Sequence, residues 1–111
     1  MIKFSVVTCT YNAAEVVERT LTSVFEQTYP HVEHLIIDGI SKDETMVKLT
    51  KYKERADADG ALHSVIVISE PDKGLYDAMN KGLEKATGNY VVFLNAGDTF
   101  PSTDTLEHIA G

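Results

Sequence analysis

The sequence predicts an α/β fold built on a parallel sheet. Four apolar, β-branched segments alternate with three stretches whose apolar residues recur at helical spacing, which gives the order βαβαβαβ. This order favours parallel strands joined by crossover helices. The chain has 111 residues and no internal repeat, so we expect a single unit over residues 1–111.

The first half of the chain supplies two strands and a helix. Apolar and β-branched residues predict the first strand over Ile2–Thr8, and Glu33–Asp38 forms the second strand. We expect Asn12 and Glu15 to form a capping box at the start of the helix between them. The apolar stripe of that helix consists of Val17, Leu21, Val24 and Phe25.

A second, less regular helix is predicted over Asp43–Arg55, with Ser41 and Glu44 at capping-box spacing. The polar residues 56–60 then form a flexible link ahead of a third strand, Ser64–Ser69. The side chains of this helix that we expect to face the core are Met46, Leu49 and Tyr52.

The third helix has the most regular pattern in the chain, and Gly88 lies where a C-terminal cap glycine is expected. Residues 90–94 are a continuous apolar run, which suits a fourth strand buried on both faces. Ser102 or Thr103 would cap one more short helix. The stripe of the third helix consists of Leu75, Ala78, Met79, Gly82, Leu83 and Ala86.

Composition limits the classes of function. A net charge of −7 makes the chain a poor candidate for nucleic-acid binding, which needs a basic surface. Cys9 is the single cysteine, so an internal disulfide is excluded and a small core residue in a reducing compartment is expected. No apolar run approaches the ~18 residues of a membrane span. We therefore expect a cytoplasmic location, with association at the inner membrane surface left open.

Polar residues follow every predicted strand at the point where it ends. The carboxyl ends of parallel strands share one edge of the sheet, where ligands bind. Several carboxylates at one edge need a cation or hydrogen-bond donors, which points to sugar or ribose hydroxyls, base N–H groups or a divalent metal. Taken alone, the last exit is equally consistent with an ordinary turn. The exit residues are Thr8, Thr10, Tyr11, Asn12, Asp38, Glu70, Asp72, Lys73, Asn95 and Asp98.

Several other site types lack their motifs. The first strand is not followed by G-x-G-x-x-G, and neither a P-loop nor a nucleophile elbow is present. His31 and His34 have the spacing of helical metal ligands, but Pro30 places them in a loop, where we expect solvated or capping roles.

Six segments resemble the start of family 2 glycosyltransferases, in the same order and at the same spacings, over nearly the whole chain. Single segments are weak signals, and the combination is specific. The segments are Ser5–Asn12, Leu21–Pro30, Ile37–Thr45, Glu70–Gly82, Ala86–Gly88 and Phe93–Asp98.

The resemblance implies a GT-A fold, a nucleotide-diphosphate sugar donor, Mg²⁺ or Mn²⁺, and inversion at the anomeric carbon. It implies that Asp38 accepts a hydrogen bond from the base, most often from uracil N3–H, and that Asp98 binds the metal. Structural roles stay open for several positions: turn formation for Asp38, helix capping for Asp72, solvation for Lys73 and packing for Tyr11. The implied nucleotide-sugar-binding residues are Thr8, Thr10, Tyr11, Asp38, Asp72, Lys73 and Asn95.

The sequence departs from the family at two places. Gly97 stands where many members have a further aspartate, so Asn95 or the Gly97 backbone would have to substitute. The family's general base and acceptor-binding strands would lie beyond Gly111. We therefore expect the donor-binding half of a truncated enzyme, with no catalytic residue in this chain and weak or absent transfer by itself.

The expected partners are the nucleotide-diphosphate sugar and a saccharide or lipid-linked acceptor. An exposed sheet edge would also favour pairing with a second copy. Two alternatives stay open at this point: a sugar-phosphate nucleotidyltransferase, which usually has a Gly-rich basic loop after the first strand, and a non-catalytic nucleotide-binding module.

Overall fold

The computed structural model describes residues 1–58 and 60–111, and in this part of the chain a four-stranded parallel sheet lies between two layers of helices. The predicted three-layer α/β class is confirmed. Position 59, within the predicted polar link over 56–60, lies outside the described residues. The strands are β1 (Phe4–Thr10), β2 (Val32–Asp38), β3 (Ser64–Ser69) and β4 (Tyr90–Phe93), and the helices are α1 (Val17–Phe25), α2 (Thr45–Ala56), α3 (Leu75–Lys85) and α4 (Thr105–Ala110).

The two faces of the sheet receive alternate residues of each strand, as strand geometry requires. On β1, Phe4 and Val6 pack in the layer of α1 and α4, whereas Val7 and Cys9 pack with Ala78 of α3. A further cluster joins α1 to α2 over β2 and β3. It consists of Val17, Leu21, Ile36, Leu49, Tyr52, Ala56 and Val65. The predicted core-facing residues of α1 and α2 are therefore confirmed.

The sheet has the strand order β3-β2-β1-β4. Seven residue pairs join β1 to β2, from Phe4–Val32 to Thr10–Asp38, and both of these central strands are buried throughout. β4 pairs with β1 alone, and its Tyr90 and Phe93 are 55% and 39% exposed. The prediction that this strand is buried on both faces is wrong here, because β4 is an edge strand.

The predicted helix caps are also wrong, because the polar residues bond across the fold. Asn12 adopts a left-handed conformation with φ 48°, and its Oδ1 accepts a hydrogen bond from the Lys42 amide at 2.8 Å. Ser41 bonds to Asp38, and α1 and α2 begin without a side-chain cap bond. These contacts tie the loop after β1 to the loop after β2.

Gly88 is not the cap of α3, which ends at Lys85 and has Ala86 as its C-terminal cap residue. Its amide donates to Ser5 Oγ at 2.8 Å, and a Cβ at this position would lie 2.6 Å from that oxygen. Gly88 therefore permits a close approach of the chain to β1.

His34 lies in β2 and is fully buried, so the predicted loop position is wrong. Its Nε2 is 2.7 Å from Thr8 Oγ1, and its Nδ1 is 2.8 Å from Tyr52 Oη.

Among the described residues, no helix combines the length and the apolar character that crossing a membrane requires.

Candidate functional site

A cleft of about 630 Å³ opens where β1, β2 and β3 end and α3 begins. Three of the four predicted strand exits therefore meet, as parallel strands require. The fourth exit, which carries Asn95 and Asp98, follows β4 on the other side of β1 and does not line this cleft. The lining residues are Cys9, Thr10, Tyr11, Gly39, Ile40, Lys42, Pro71, Asp72, Gly74, Leu75 and Ala78.

Asp38 lies at the end of β2 and is fully buried. Its Oδ1 accepts hydrogen bonds from Thr10 Oγ1 at 2.7 Å and Ser41 Oγ at 2.5 Å, and its Oδ2 accepts from the Ser41 amide and Ser69 Oγ, both at 2.9 Å. Burial raises the pKa of this carboxyl, but the bonds from Ser41, Thr10 and Ser69 outweigh that effect and lower the pKa below its usual value. With two donors on each oxygen, Asp38 braces the three exits. In this structure the four donors leave no free acceptor position on Asp38 for the base N–H that the resemblance assigns to it.

Asp72 is the carboxylate that faces the cleft. Its Oδ1 accepts from the Gly74 amide at 3.0 Å, and its Oδ2 lies against Gly39, where an added Cβ would be only 2.6 Å away. Burial, with the nearby Asp72 charge as the smaller cause, raises the pKa of the Cys9 thiol to about 11. Cys9 is therefore a neutral thiol at pH 7 and contributes a small wall of the cleft.

The remaining predicted residues of these exits divide by strand alternation. Thr8 points into the opposite layer, where it contacts His34, and it does not line this cleft. Thr10 forms a wall through its bond to Asp38, and Tyr11 lies at the cleft with 59% of its surface exposed. Lys73 is exposed and lies outside the lining, while its amide donates to Asp77 Oδ2 at 2.9 Å.

Cys9, Lys42 and Ile40 are among the lining residues that the sequence reasoning missed. Cys9 could have been found from the alternation of side chains along a strand, because Cys9 faces the layer of α3 whereas its neighbour Thr8 faces the opposite layer. Lys42 adds a cation to the lining. The neighbouring sequence does not predict this position, because the loop is held by a long-range hydrogen bond from the Lys42 amide to Asn12. Ile40, a β-branched residue, adopts φ 59°, an unfavourable left-handed conformation that places it at the cleft.

The fourth exit is a hydrogen-bonded turn. The Asp98 amide donates to the Asn95 carbonyl at 2.9 Å, and Gly97, at the third position, has φ 99°. A positive φ at this position of a turn favours glycine. The Gly97 amide is already bonded to Thr20 Oγ1 at 2.7 Å, so it cannot serve as a donor for a ligand.

The oxygen atoms at this turn suit a metal ion that is coordinated jointly by the protein and by a substrate. Asp98 is exposed, and Asn95 Oδ1 is a buried oxygen without a hydrogen-bond partner. In residues 1–58 and 60–111, no three His, Cys, Asp or Glu side chains converge as metal ligands. These residues therefore do not form a cage, but Mg²⁺ commonly binds through one or two carboxylates together with phosphate oxygens of a substrate, and Asp98 fits that arrangement.

A comparison with protein-family models decides the family. The model described as glycosyl transferase family 2 matches residues 5–111. The chain is a member of glycosyl transferase family 2. The resemblance found in the sequence is confirmed, and the GT-A fold is confirmed by the solved glycosyltransferase structures described below.

Two curated glycosyltransferases match nearly all of this chain. A PGL/p-HBAD biosynthesis glycosyltransferase of Mycobacterium bovis (strain BCG / Pasteur 1173P2) is 36% identical over 107 residues, which are 96% of this chain and 40% of that protein. The putative teichuronic acid biosynthesis glycosyltransferase TuaG of Bacillus subtilis is 40% identical over 103 residues, 93% of this chain and 38% of that protein. The chain thus spans about two fifths of the length of these relatives.

Solved structures agree with this assignment. S. aureus TarS 1–349 in complex with UDP-GlcNAc superposes with a TM-score of 0.81 at 27% identity, over 98% of this chain and 30% of that chain. The mannosyltransferase PcManGT from Pyrobaculum calidifontis, in complex with GDP-Man and Mn²⁺, gives a TM-score of 0.83 at 30% identity, over 95% of this chain and 30% of that chain.

Proposed function

We propose that this chain binds a nucleotide-diphosphate sugar and a divalent cation as the donor-binding part of an inverting glycosyltransferase. The observation that carries the proposal is the cleft at the ends of β1, β2 and β3, together with the turn that presents Asp98 after β4 at the same edge of the sheet. Support comes from two structural neighbours, one in complex with UDP-GlcNAc and the other with GDP-Man and Mn²⁺. We propose UDP as the nucleotide part.

The nucleoside occupies the cleft. Tyr11 offers an exposed aromatic face on which the base stacks. Asp72 accepts the hydrogen bond from the base N–H, because Asp38 already holds four donors. Thr10 forms the wall of the cleft between Tyr11 and Asp72. Lys73, in the exposed loop after β3, lies beside the ribose.

The diphosphate lies at the turn after β4. Asp98 and the phosphate oxygens hold Mg²⁺ or Mn²⁺ together, which agrees with a single exposed carboxylate at this turn. Asn95 takes the place of the family's second aspartate. Its Oδ1, which lacks a partner, accepts a hydrogen bond from a hydroxyl of the nucleotide sugar. The metal, when bound, offsets the negative charge that develops on the departing nucleoside diphosphate.

The proposed reaction is a direct displacement at the anomeric carbon. The acceptor hydroxyl oxygen attacks this carbon while the bond to the diphosphate oxygen breaks, so the configuration inverts. A general base outside residues 1–111 takes the hydroxyl proton, and the acceptor is a saccharide or a lipid-linked molecule. The residues of this chain bind and orient the donor, and they hold its leaving group.

Calorimetric titration with UDP tests the proposal. We expect Mn²⁺ to strengthen UDP binding over the value in EDTA, and we expect Asp98→Asn to abolish that increase. Asp57→Asn is a matched control, because Asp57 caps the far end of α2, and α2 runs back from the exits towards the opposite edge of the sheet. UDP binding that does not respond to Mn²⁺, or that Asp98→Asn leaves unchanged, contradicts the proposal. Pyrophosphate release from UTP and a sugar phosphate would indicate nucleotidyl transfer.

A further inference from the structure

The helix α1 and the residues just after it present three polar side chains to the segment that follows β4. Thr20, Ser23 and Gln27 are spaced i, i+3 and i+7, so they share one face, and we call them the α1 polar ladder. Thr20 is fully buried and Gln27 is 2% exposed. Burying polar groups in this way is unfavourable unless each finds a hydrogen-bond partner. The partners identify what the ladder does.

Thr20 binds the turn that carries Asp98. Its Oγ1 accepts the Gly97 amide at 2.7 Å and donates to the Asp98 carbonyl, also at 2.7 Å. A single hydroxyl therefore bonds to both peptide groups that flank the Gly97–Asp98 junction. These are main-chain contacts, so they fix the backbone position from which the Asp98 carboxylate extends.

The rest of the ladder continues along the same segment. Ser23 Oγ accepts the Phe100 amide at 2.8 Å. Gln27 Nε2 donates to the Ser102 carbonyl at 2.7 Å, and its Oε1 accepts the Leu106 amide at 3.1 Å. Residues 94–104 contain neither helix nor strand, so the ladder supplies main-chain bonds that regular structure would otherwise supply.

We infer that the α1 polar ladder, and Thr20 above all, is a positioning device for the metal-binding carboxylate of Asp98. This inference rests on the proposed function. Asp98 is exposed and lies in an irregular segment, so its position depends on what holds the backbone. Thr20 does not touch the donor; it acts through Asp98. Through Ser23 and Gln27, the ladder also gives a role to two residues of the Leu21–Pro30 segment of the family resemblance, none of which lines the cleft.

Three variants test the inference. Thr20→Val preserves the shape of the side chain but removes every hydrogen bond of the hydroxyl, including a long one of 3.4 Å to the Asn95 carbonyl, whereas Thr20→Ser keeps the hydroxyl. Thr22→Val makes the same chemical change on the same helix at an exposed position outside the ladder. For each variant we would measure UDP affinity by calorimetry with Mn²⁺ and with EDTA. The ratio of the two affinities is the metal enhancement.

We expect Thr20→Val to lower the metal enhancement by roughly tenfold, the scale of one lost buried hydrogen bond. Thr20→Ser and Thr22→Val should keep it within about twofold, and UDP affinity in EDTA should stay within about twofold throughout. A merely structural role would lower both affinities in proportion and leave the ratio unchanged. An unchanged ratio in Thr20→Val therefore overturns the inference.

The test separates this inference from the proposed function. If the unsubstituted protein binds UDP with a metal enhancement and Thr20→Val retains it, the proposed function stands and the positioning role fails. If the unsubstituted protein shows no metal enhancement, the proposed function fails and the positioning role fails with it. If Thr20→Val does not fold, Ser23→Ala serves in its place, because it removes only the acceptor of the Phe100 amide, and the same ratio decides.

Discussion

The buried His34 makes the stability of the fold depend on pH in a defined range. The imidazole is fully buried in β2 between Thr8 and Tyr52. Burial, with the His63 charge as the smaller cause, lowers the pKa of His34 to about 3 from its usual value of 6.5. The folded chain thus keeps the ring neutral at pH values where the unfolded chain protonates it. The resulting stability is complete above pH 6.5 and declines as the pH falls towards 3.

The size of the effect follows from the two pKa values. Each pKa unit corresponds to about 1.4 kcal/mol, so at pH 5, which lies 1.5 units below 6.5, the loss is about 2 kcal/mol. The carboxyls of Asp38 and Glu33 have pKa values below their usual range in the folded state, so their stabilisation is lost only below about pH 4. The interval from pH 7 to pH 5 therefore isolates the buried histidines.

The assay is urea unfolding at pH 7 and pH 5. We expect the unsubstituted protein to lose about 2 kcal/mol more between these two pH values than His34→Gln does. His63, whose pKa is lowered by burial against opposing backbone hydrogen bonds, contributes in the same direction, and His63→Gln measures that part separately. Equal pH dependence in the unsubstituted protein and His34→Gln would refute the assignment of a neutral, buried His34.

Two glycines give further predictions. Gly39→Ala adds a Cβ that would lie 2.6 Å from Asp72 Oδ2, so the flexible carboxylate must move away. We expect UDP affinity in EDTA to fall roughly tenfold with little loss of stability. An unchanged affinity would show that Asp72 takes no part in base recognition. Gly82→Ala gains about 1 kcal/mol of helix propensity. Its Cβ would lie 2.4 Å from Val7 Cγ1, however, and such overpacking costs about 1–3 kcal/mol. We therefore expect a lower melting temperature, and an increase would show that α3 does not pack closely on β1.

The order and class of the elements could be predicted from the sequence because the signals are local. The apolar stripe of α1 and the β-branched strands each follow from the neighbouring residues, and β3 was predicted at its observed bounds, Ser64–Ser69. The exposure of β4 could not be predicted, since it depends on which strand lies at the edge of the sheet.

The chemistry of the site was less predictable, since it depends on long-range hydrogen bonds. Asn12 and Ser41 have the spacing of helix caps but bond to Lys42 and Asp38. Asp38 resembles a ligand-binding carboxylate in sequence, and only its four donors reveal a bracing role. Thr20 gave no sequence signal at all, because its partners lie 77 and 78 residues away.

The most direct test of the central claim is the position of bound Mn²⁺. In ¹⁵N-labelled protein saturated with UDP, Mn²⁺ broadens the amide signals of nearby residues by paramagnetic relaxation. We expect the strongest broadening at residues 95–98, with weaker effects at Tyr11 and Asp72 and none at Asp57. Broadening centred elsewhere, or an unchanged pattern in Asp98→Asn, would contradict the placement of the donor diphosphate at the turn after β4.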